Sequence, residues 1–291
     1  MKLVRFGHVE EERPGVWLDD VPTKGDSSIL DVRAMAFDIE DYNEHFFSHN
    51  GLERLVNLLR EGNRKLIPAD GVRLGPPIAR SSKIICLGAN YAEHARECHF
   101  GVSDNPILFT KATTAVIGPF DPVVLPEKSK IVDSEAELAV VIGNQTRNVS
   151  CQDAMDAVAG YMVLNDVTDR EAQSISTQWF RGKSPDTFCP IGPYLVTRDE
   201  IENPHNLRIT SKINGVVIQE GHTSDMIFNI PFLISFISAT ITLLPGDVIS
   251  TGTPAGIGSL RKPPVFLKSG DCTEIIVEHV GHQISPVKVE G

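Results

Sequence analysis

The pattern of apolar and polar residues predicts that strands dominate this chain beyond about residue 82. Seven segments with alternating or continuous apolar residues are predicted to form strands: MKLVRFG, PGVWL, ELAVVIG, YMVLNDV, TSKINGVVIQ, DVISTGT and CTEIIVEHV. Within the fifth segment, Asn214-Gly215 is typical of a two-residue type I′ turn. That segment is therefore predicted to fold as a β-hairpin.

The helical period occurs in one longer segment and three short ones. GLERLVNLLREG is predicted to be an amphipathic helix that ends at Gly62. Its apolar residues recur at i, i+3, i+4 and i+7, at Leu52, Leu55, Val56 and Leu59. Short helices are predicted around 90–97 and 152–158, and another begins near Thr168, which has capping-box spacing to Glu171.

A Pro- and Gly-rich stretch at 68–82 indicates a domain boundary, since it gathers three prolines and two glycines before an apolar run. We expect a small α+β N-terminal domain over 1–72, a linker over 73–82 and a larger domain over 83–291. Few strands alternate with helices, so the larger domain is expected to be a mixed β-roll rather than a regular βαβ series. The predicted class of the whole chain is α+β.

Charge and composition exclude several classes of function. The 291 residues include 27 Lys and Arg against 38 Asp and Glu, a formal net charge of −11, and no basic block, which argues against nucleic-acid binding. Five widely spaced cysteines without a Cys-x-x-Cys pair indicate reduced thiols. The most apolar segment, 230–244, is interrupted by Pro231, so no membrane span is predicted. We expect a cytoplasmic protein, with the mitochondrial matrix as the alternative for a eukaryotic source, although no transit peptide is visible.

Two glutamates begin the strand ELAVVIG and form a candidate metal site. Glu135 and Glu137 point to one face because side chains alternate along a strand, and the apolar run that follows is typical of a strand buried on both faces. Neighbouring carboxylates repel each other unless a cation lies between them. A hard divalent ion is one interpretation, and two solvated acids at the end of a strand are the other.

A third carboxylate, Asp166, ends the strand YMVLND. It is either a further metal ligand or the N-cap of the helix that follows. Two Glu and one Asp would suit Mg²⁺ or Mn²⁺, with water or substrate oxygens in the remaining positions.

Three further motifs carry groups that could act on a substrate. His94 and Glu97 are i, i+3 on a short predicted helix, which is the arrangement of a general base oriented by a carboxylate, or of an incidental surface pair. Lys111 and Lys183 offer cations in largely apolar or Gly-containing surroundings. The turn TGTPAG at 251–256 could present backbone N–H groups to a carboxylate, or could be only a tight turn.

Six blocks in order resemble the fumarylacetoacetate hydrolase family from about Lys83 onward, and most resemble its short two-part members, including the vertebrate mitochondrial branch. The blocks are IICLGANYAEHARE, ILFTKATTAVIGPFDPVVLP, VDSEAELAVVIG, VAGYMVLNDVTDREAQ, QWFRGKSPDTFCPIGPYLVT and LLPGDVISTGTPAGIG. The first 80 residues resemble the variable lead domain of these proteins with much less specificity. The resemblance implies a mixed β-roll that assembles as a homodimer.

The resemblance also implies a role for each matching residue. Glu135, Glu137 and Asp166 match ligands of a divalent cation, usually Mg²⁺, with Mn²⁺ or Ca²⁺ as alternatives. His94 and Glu97 match a water-activating pair, and Lys183 matches a lysine that stabilises a developing enolate. Substrate contacts are implied for Lys111, Arg170, Gln173 and Thr251.

Taken together, these features predict an enzyme that acts on a small keto acid. The expected activity is Mg²⁺-dependent hydrolysis of a carbon–carbon bond in a 2,4-diketo acid, of the acylpyruvate or diketo-deoxy sugar acid type, through a metal-bound enolate. The alternative on the same metal site is an oxaloacetate tautomerase or decarboxylase. A hypothesis of another class is a non-catalytic protein that binds divalent metal. No nucleic-acid or membrane partner is expected.

Overall fold

The computed structural model describes residues 1–19, 27–99 and 104–291. In chain order its strands are β1 (Lys2–Phe6), β2 (Arg13–Asp19), β3 (Ser27–Asp31), β4 (Leu66–Pro68), β5 (Leu74–Gly75), β6 (Ile84–Gly88), β7 (Ile107–Lys111), β8 (Val116–Ile117), β9 (Val123–Leu125), β10 (Val132–Asp133), β11 (Ala136–Ile142), β12 (Val158–Asn165), β13 (Thr168–Asp169), β14 (Cys189–Pro190), β15 (Leu195–Thr197), β16 (Arg208–Ile213), β17 (Val216–His222), β18 (Val248–Ser250), β19 (Cys272–Val277) and β20 (Gly281–Val289). The α-helices are α1 (Glu44–Ser48), α2 (Gly51–Arg60), α3 (Ala92–Glu97), α4 (Arg170–Ser174), α5 (Phe180–Lys183) and α6 (Ile230–Ser238).

One large mixed sheet crosses the molecule in the order β4-β3-β2-β1-β15-β12-β11-β18-β6-β7, and β5 pairs with β1 at the side of this path. Its neighbours are antiparallel except for β18 and β6, which run parallel. A second sheet has the order β17-β16-β19-β20-β9. Helix and strand are mixed without a regular βαβ series, so the predicted α+β class is confirmed.

The centre of the large sheet is buried on both faces. All seven residues of β11 are buried, as the continuous apolar run predicts. On one face Ala139 and Val141 belong to the same apolar cluster as Leu55 and Leu58 of α2. On the other face Val140 belongs to a cluster that includes residues of α6 and the second sheet. Side chains therefore pack against β11 from both sides of the sheet, and this packing fixes the position of the residues at the start of the strand.

The N-terminal strands are part of the large sheet, because β1 pairs with β15 through Lys2–Val196 and Leu3–Leu195. The segment predicted as a linker contains β5, which pairs with β1. The division into 1–72, 73–82 and 83–291 stays a prediction.

The hairpin predicted from Asn214-Gly215 is present between β16 and β17, and both turn residues have positive φ, at 52° and 77°. These are the backbone conformations that a type I′ turn requires.

The helix that follows the second central strand differs from the sequence prediction. It begins at Arg170, and the side chain of Asp169 caps it by accepting a hydrogen bond of 3.0 Å from the Ala172 N–H. Thr168, predicted as the cap, instead pairs with Asp133 across β13 and β10. Strand pairing holds Thr168 in an extended conformation and moves the start of the helix along the chain.

Two other predicted helices differ at their ends or in type. The amphipathic helix ends at Arg60, and Glu61 leaves it in an extended conformation, so Gly62 is not its terminator. The segment predicted as a helix at 152–158 forms a single 3₁₀ turn over Ala154–Ala157.

Helix α6 was not predicted from the sequence, because Pro231 interrupts its apolar run. The proline lies in the first turn, where a missing N–H costs no helical hydrogen bond, and Asn229 caps the helix by accepting from Phe232 N–H. Throughout the three described stretches of chain, no helix has both the length and the apolar character needed to cross a bilayer.

Candidate active site and metal centre

Three carboxylates meet where two central strands end. Glu137 is the second residue of β11, Glu135 directly precedes that strand, and Asp166 directly follows β12. They lie side by side because Ala136 pairs with Asn165, and the Asp166 N–H donates a hydrogen bond of 2.9 Å to the Glu135 carbonyl. One oxygen of each carboxylate lies within 4.8 Å of the others, and all three residues are buried.

This acid triad, Glu135, Glu137 and Asp166, fits a hard divalent cation. Its donors are carboxylate oxygens, the ligands that Mg²⁺, Mn²⁺ and Ca²⁺ prefer. Burial, together with the charges of Asp166 and Glu135, raises the pKa of Glu137 to about 8. A dication held between the three groups would oppose that mutual repulsion. Glu135, Glu137 and Asp166 are therefore the residues that would hold it.

Two buried lysines contact the acid triad. The Lys183 Nζ donates to Glu135 Oε2 at 2.7 Å and to Asp166 Oδ2 at 2.6 Å. Burial alone would lower the pKa of Lys183, but the charges of Asp166 and Glu135 outweigh it and raise that pKa above its ordinary value. Lys111 Nζ lies 2.5 Å from Asp166 Oδ1 and donates to the Val167 carbonyl at 3.1 Å. Asp166 therefore binds lysines and does not act as the helix cap.

Arg170 joins the acid triad to a fourth buried carboxylate, that of Asp133. Its Nε donates to Asp133 Oδ1 at 2.7 Å, and its Nη2 donates to Glu135 Oε1 at 2.5 Å. Its Nη1 donates to the side chain of Gln173 at 3.2 Å. Burial would raise the pKa of Glu135, but the charges of Arg170 and Lys183 hold it well below its ordinary value.

The turn at 251–256 presents its N–H groups to carboxylates of the protein itself. Gly252 N–H donates to Glu137 Oε2 at 2.9 Å, and the Ser250 hydroxyl donates to the same oxygen. Gly256 N–H lies 3.0 Å from both Glu97 oxygens. Of the two interpretations of this turn, the structure therefore agrees with the one in which its N–H groups meet carboxylates, and those carboxylates are two acids of this chain.

His94 and Glu97 form the predicted pair on α3. The His94 Nδ1 lies 2.7 Å from Glu97 Oε1, and His94 is 7% exposed. Burial opposes the charged imidazolium, but hydrogen bonds with Cys98 and Glu97 and the charge of Glu135 outweigh it and raise the pKa of His94 to about 9. A buried imidazole oriented by a carboxylate can exchange a proton with a bound molecule.

A cavity of about 360 Å³ opens onto these groups. Six residues predicted for the site line it: His94, Glu135, Glu137, Arg170, Gln173 and Lys183. Apolar side chains form much of the remaining wall: Leu87, Phe109, Trp179, Ile257 and Leu260. The cavity can therefore surround a small molecule that carries both anionic and apolar parts.

Two residues predicted to contact substrate are completely buried behind the wall. The Thr251 hydroxyl donates to the Leu138 carbonyl at 2.8 Å, and Thr253 lines the cavity in its place. The Lys111 ammonium is engaged by Asp166, as described above, and its side chain has no exposed surface. Both residues therefore lie outside the cavity lining and contact groups of the protein, Thr251 the backbone of β11 and Lys111 the carboxylate of Asp166.

Sequence reasoning missed two buried amides that connect the parts of the site. Gln219 accepts a hydrogen bond of 3.0 Å from Ala136 N–H, between the two glutamates, and donates at 2.7 Å to Thr253 Oγ1. Asn90 donates to the Thr251 carbonyl at 2.8 Å and so ties the start of the α3 segment to the turn. The only sequence signal for Gln219 is its place on the predicted hairpin.

Comparison with known proteins supplies the family. The model of the fumarylacetoacetate (FAA) hydrolase C-terminal domain matches residues 83–288. The chain belongs to the fumarylacetoacetate hydrolase family. The family's members bind a divalent metal and act on small molecules, in agreement with the acid triad and the cavity. Which ion is bound by this member of the fumarylacetoacetate hydrolase family stays a prediction.

Relatives within the fumarylacetoacetate hydrolase family have more than one activity. The chain is 40% identical over 291 residues to "Oxaloacetate tautomerase fahd2, mitochondrial" of Xenopus laevis, which covers 99% of this chain and 90% of the relative. It is 46% identical over 223 residues to "Oxaloacetate tautomerase Fahd2a, mitochondrial" of Rattus norvegicus, covering 76% and 71% of the two chains. The solved maleylpyruvate hydrolase of Sphingobium sp. SYK-6 is 33% identical, with a TM-score of 0.80 and complete coverage of both chains. These relatives support the conclusion that the chain is an enzyme. They do not specify which reaction it catalyses.

Proposed function

We propose that this protein is a metal-dependent enzyme that interconverts the keto and enol forms of oxaloacetate. The observation that carries the proposal is that one cavity is lined by His94, which Glu97 orients, by cationic side chains and by carboxylates suited to a dication. The names of the Xenopus and rat relatives support oxaloacetate as the substrate.

A divalent cation held by Glu135, Glu137 and Asp166 would, when bound, supply positive charge beside the oxygens of a 2-keto acid. Lys183 and Arg170 add positive charge from the protein and help to bind the carboxylate groups of the substrate. The apolar wall around Phe109 and Trp179 limits the access of water.

His94 is the proposed base in its neutral form, which a dication on the acid triad would favour by offsetting the charge of Glu135 that helps to raise the pKa of His94. Glu97 accepts the hydrogen bond from Nδ1, so Nε2 is the nitrogen that takes a proton from C3 of the substrate. The electron pair of the C–H bond forms the C2–C3 double bond, and the keto oxygen becomes negative beside Lys183. Return of the proton to that oxygen gives the enol, with no atom gained or lost.

Hydrolysis of a 2,4-diketo acid is the second candidate, favoured by the likeness to maleylpyruvate hydrolase. In that reaction His94 would take a proton from water, which attacks the distal carbonyl. The C3–C4 bond would then break, with a carboxylic acid and the enolate of pyruvate as products. The apolar wall of the cavity would suit the acyl group of such a substrate.

Two assays with Mg²⁺ separate these reactions. We expect the purified protein to accelerate the conversion between enol- and keto-oxaloacetate, followed by ultraviolet absorbance, more than it accelerates the loss of an acylpyruvate. Turnover of the acylpyruvate alone would overturn the tautomerase proposal in favour of hydrolysis. Turnover of neither with Mg²⁺, Mn²⁺ or Ca²⁺ would favour the non-catalytic metal-binding protein.

The cellular location and the oligomeric state of the protein are also proposed from its relatives. Both tautomerase relatives are named as mitochondrial, which favours the mitochondrial alternative over the cytoplasm. A homodimer is proposed from the family resemblance, and a sedimentation measurement would test it.

A further inference from the structure

The ammonium group of Lys183 lies over the face of an aromatic ring. Its Nζ is 4.8 Å from the centre of the Phe109 ring. A cation and the face of a ring attract each other within about 6 Å, most strongly where water is excluded. Both residues line the cavity, and the side chain of Lys183 is only 3% exposed. The ring is therefore a third partner of this ammonium, beside the two carboxylates that it binds.

Trp179 fixes the position of the Phe109 ring. The two rings meet edge to face, with their centres 5.3 Å apart. Trp179 in turn lies against the backbone of Gly88, where a Cβ atom would be 2.6 Å from the indole carbon Cζ3. The Trp179 carbonyl also accepts a hydrogen bond of 3.0 Å from the Lys183 N–H. One residue thus holds both the ring and the backbone that carries the lysine.

The two lysines of the site are held by different groups. Lys111 donates to Asp166 and also to the Val167 carbonyl, and its side chain has no exposed surface. For Lys183, the described part of the chain provides two carboxylates and the Phe109 ring as partners of the ammonium. The ring therefore has the place at Lys183 that a backbone carbonyl has at Lys111.

We propose that Phe109 is a positioning residue, whose ring keeps the Lys183 ammonium beside the substrate when metal is bound to the acid triad. Glu135 and Asp166 attract Lys183, but they are also expected metal ligands, so a dication would share the charge that attracts the lysine. The same dication would repel the ammonium. The Phe109 ring is not a metal ligand, so its attraction for the lysine is not shared.

The consequence for catalysis rests on the proposed function. Lys183 stabilises the negative charge that develops on the keto oxygen, and this effect weakens as the distance between that oxygen and Nζ grows. The enolate therefore loses more binding energy than the keto acid when the ring no longer attracts the ammonium. Such a change lowers kcat and leaves KM nearly unchanged. Oxalate, a planar dianion shaped like the enolate of pyruvate, should lose affinity in the same way.

Fluorinated phenylalanines at position 109 test the contact and leave the shape of the wall almost unchanged. Fluorine withdraws electron density from the ring face, so monofluoro, difluoro and trifluoro rings attract a cation progressively less. We expect the affinity for oxalate, measured by calorimetry on the full chain with Mg²⁺ bound, to fall in that order by roughly tenfold over the series. The affinity for Mg²⁺ itself should be unchanged, because the ring is not a ligand.

The same series at Phe236 is the matched control, since this half-buried ring of α6 stacks on Phe232. It should leave the oxalate affinity unchanged. Equal oxalate affinity throughout the series at Phe109, or no oxalate binding by the wild type with Mg²⁺, would overturn the proposal.

A double-mutant cycle with Lys183→Met assigns the effect to the lysine. Methionine keeps an unbranched side chain and removes the charge. The trifluoro ring at Phe109 should weaken oxalate binding when Lys183 is present and change it by less than about twofold in Lys183→Met. Equal losses in the two backgrounds would mean that fluorination acts on the wall and not through Lys183.

Turnover then tests the effect on the reaction. With the trifluoro ring at Phe109, kcat for the enol–keto conversion of oxaloacetate should fall roughly tenfold, with KM within about twofold. A higher KM at unchanged kcat would overturn the positioning role. If the wild type does not turn over oxaloacetate, the proposed function fails, and the oxalate series still decides whether Phe109 positions Lys183.

Discussion

Glu135 and Glu137 are two residues apart on one strand, yet their carboxylates have opposite electrostatic surroundings. Arg170 and Lys183 bind Glu135 and keep its pKa low. Among the described residues, Glu137 accepts hydrogen bonds only from a hydroxyl and a backbone N–H, and its pKa is raised to about 8 because it is buried beside Asp166 and Glu135. Period-two alternation predicted that the two glutamates share a face. It could not predict this asymmetry, because the cations come from residues 35 and 48 positions along the chain from Glu135.

Substitution of Glu137 tests the metal assignment at the residue level. Glu137→Gln keeps the shape and removes the charge, so we expect Mg²⁺ affinity, measured by calorimetry, to fall by roughly 100-fold because ligand charge sets affinity. Glu127→Gln, a change at an exposed glutamate, is the matched control and should bind Mg²⁺ as the wild type does. Unchanged affinity in Glu137→Gln would remove it from the proposed ligands.

Substitution of His94 separates proton transfer from metal binding. His94→Ala should leave the Mg²⁺ affinity within about twofold and lower kcat by roughly 10²-fold, the usual contribution of a general base. Glu93→Gln alters an exposed neighbour on α3 and should leave both quantities unchanged. Equal kcat in His94→Ala and wild type would mean that another group moves the proton.

At the level of elements, the site is built where a hairpin, a central strand and a turn meet. Gln219 of β17 accepts from Ala136 N–H of β11 and donates to Thr253 and to the Pro254 carbonyl in the turn. Each element was predictable from its local pattern, whereas their mutual packing was not, because it depends on which faces of two sheets meet. For the same reason the sequence of the turn at 251–256 could not show that the carboxylates bound by its N–H groups are those of Glu137 and Glu97.

Gln219→Leu tests this connection. It leaves buried polar groups of two elements unpaired, each of which costs about 1–3 kcal/mol, so we expect a lower free energy of unfolding and weaker Mg²⁺ binding. Gln283→Leu is the matched control, since within the described chain both amide atoms of Gln283 are buried without a hydrogen-bond partner. It should be neutral or stabilising. Equal losses in the two variants, measured by urea unfolding and calorimetry, would contradict the role of Gln219.

The start of α6 carries a pH-dependent contact. His205 Nε2 accepts a hydrogen bond of 3.1 Å from Ile230 N–H, which requires the neutral ring, and burial lowers the pKa of His205. The unfolded chain therefore binds the proton more readily, so this contribution to stability is complete above about pH 6.5 and declines as the pH falls below it. Urea unfolding at pH 7.5 and pH 5.5 should show a smaller pH dependence in His205→Gln than in wild type. An identical dependence in both proteins would exclude this residue as its source.

For the whole molecule, the sequence predicted the α+β class, the central strands and the family, because each depends on local patterns or on ordered motifs. It did not predict that the N-terminal strands extend the same large sheet as the site, since the pairing of β1 with β15 joins residues more than 190 positions apart. Nor could local patterns predict that Lys111 reaches Asp166 across 55 positions. Both the strand pairing and the ion pair depend on contacts between residues far apart in the sequence.

The buried charges of the site determine the order in which ligands can arrive. Above about pH 8, where Glu137 also ionises, the carboxylates of Asp133, Glu135, Glu137 and Asp166 exceed the cations Lys111, Arg170 and Lys183 by one negative charge. Such a site repels a dianion, and one dication reverses the excess to one positive charge. We therefore expect an obligatory order in which the metal binds first, so at a pH above 8 oxalate should give calorimetric heat with Mg²⁺ present and none without it. Oxalate binding to the metal-free protein would contradict that order.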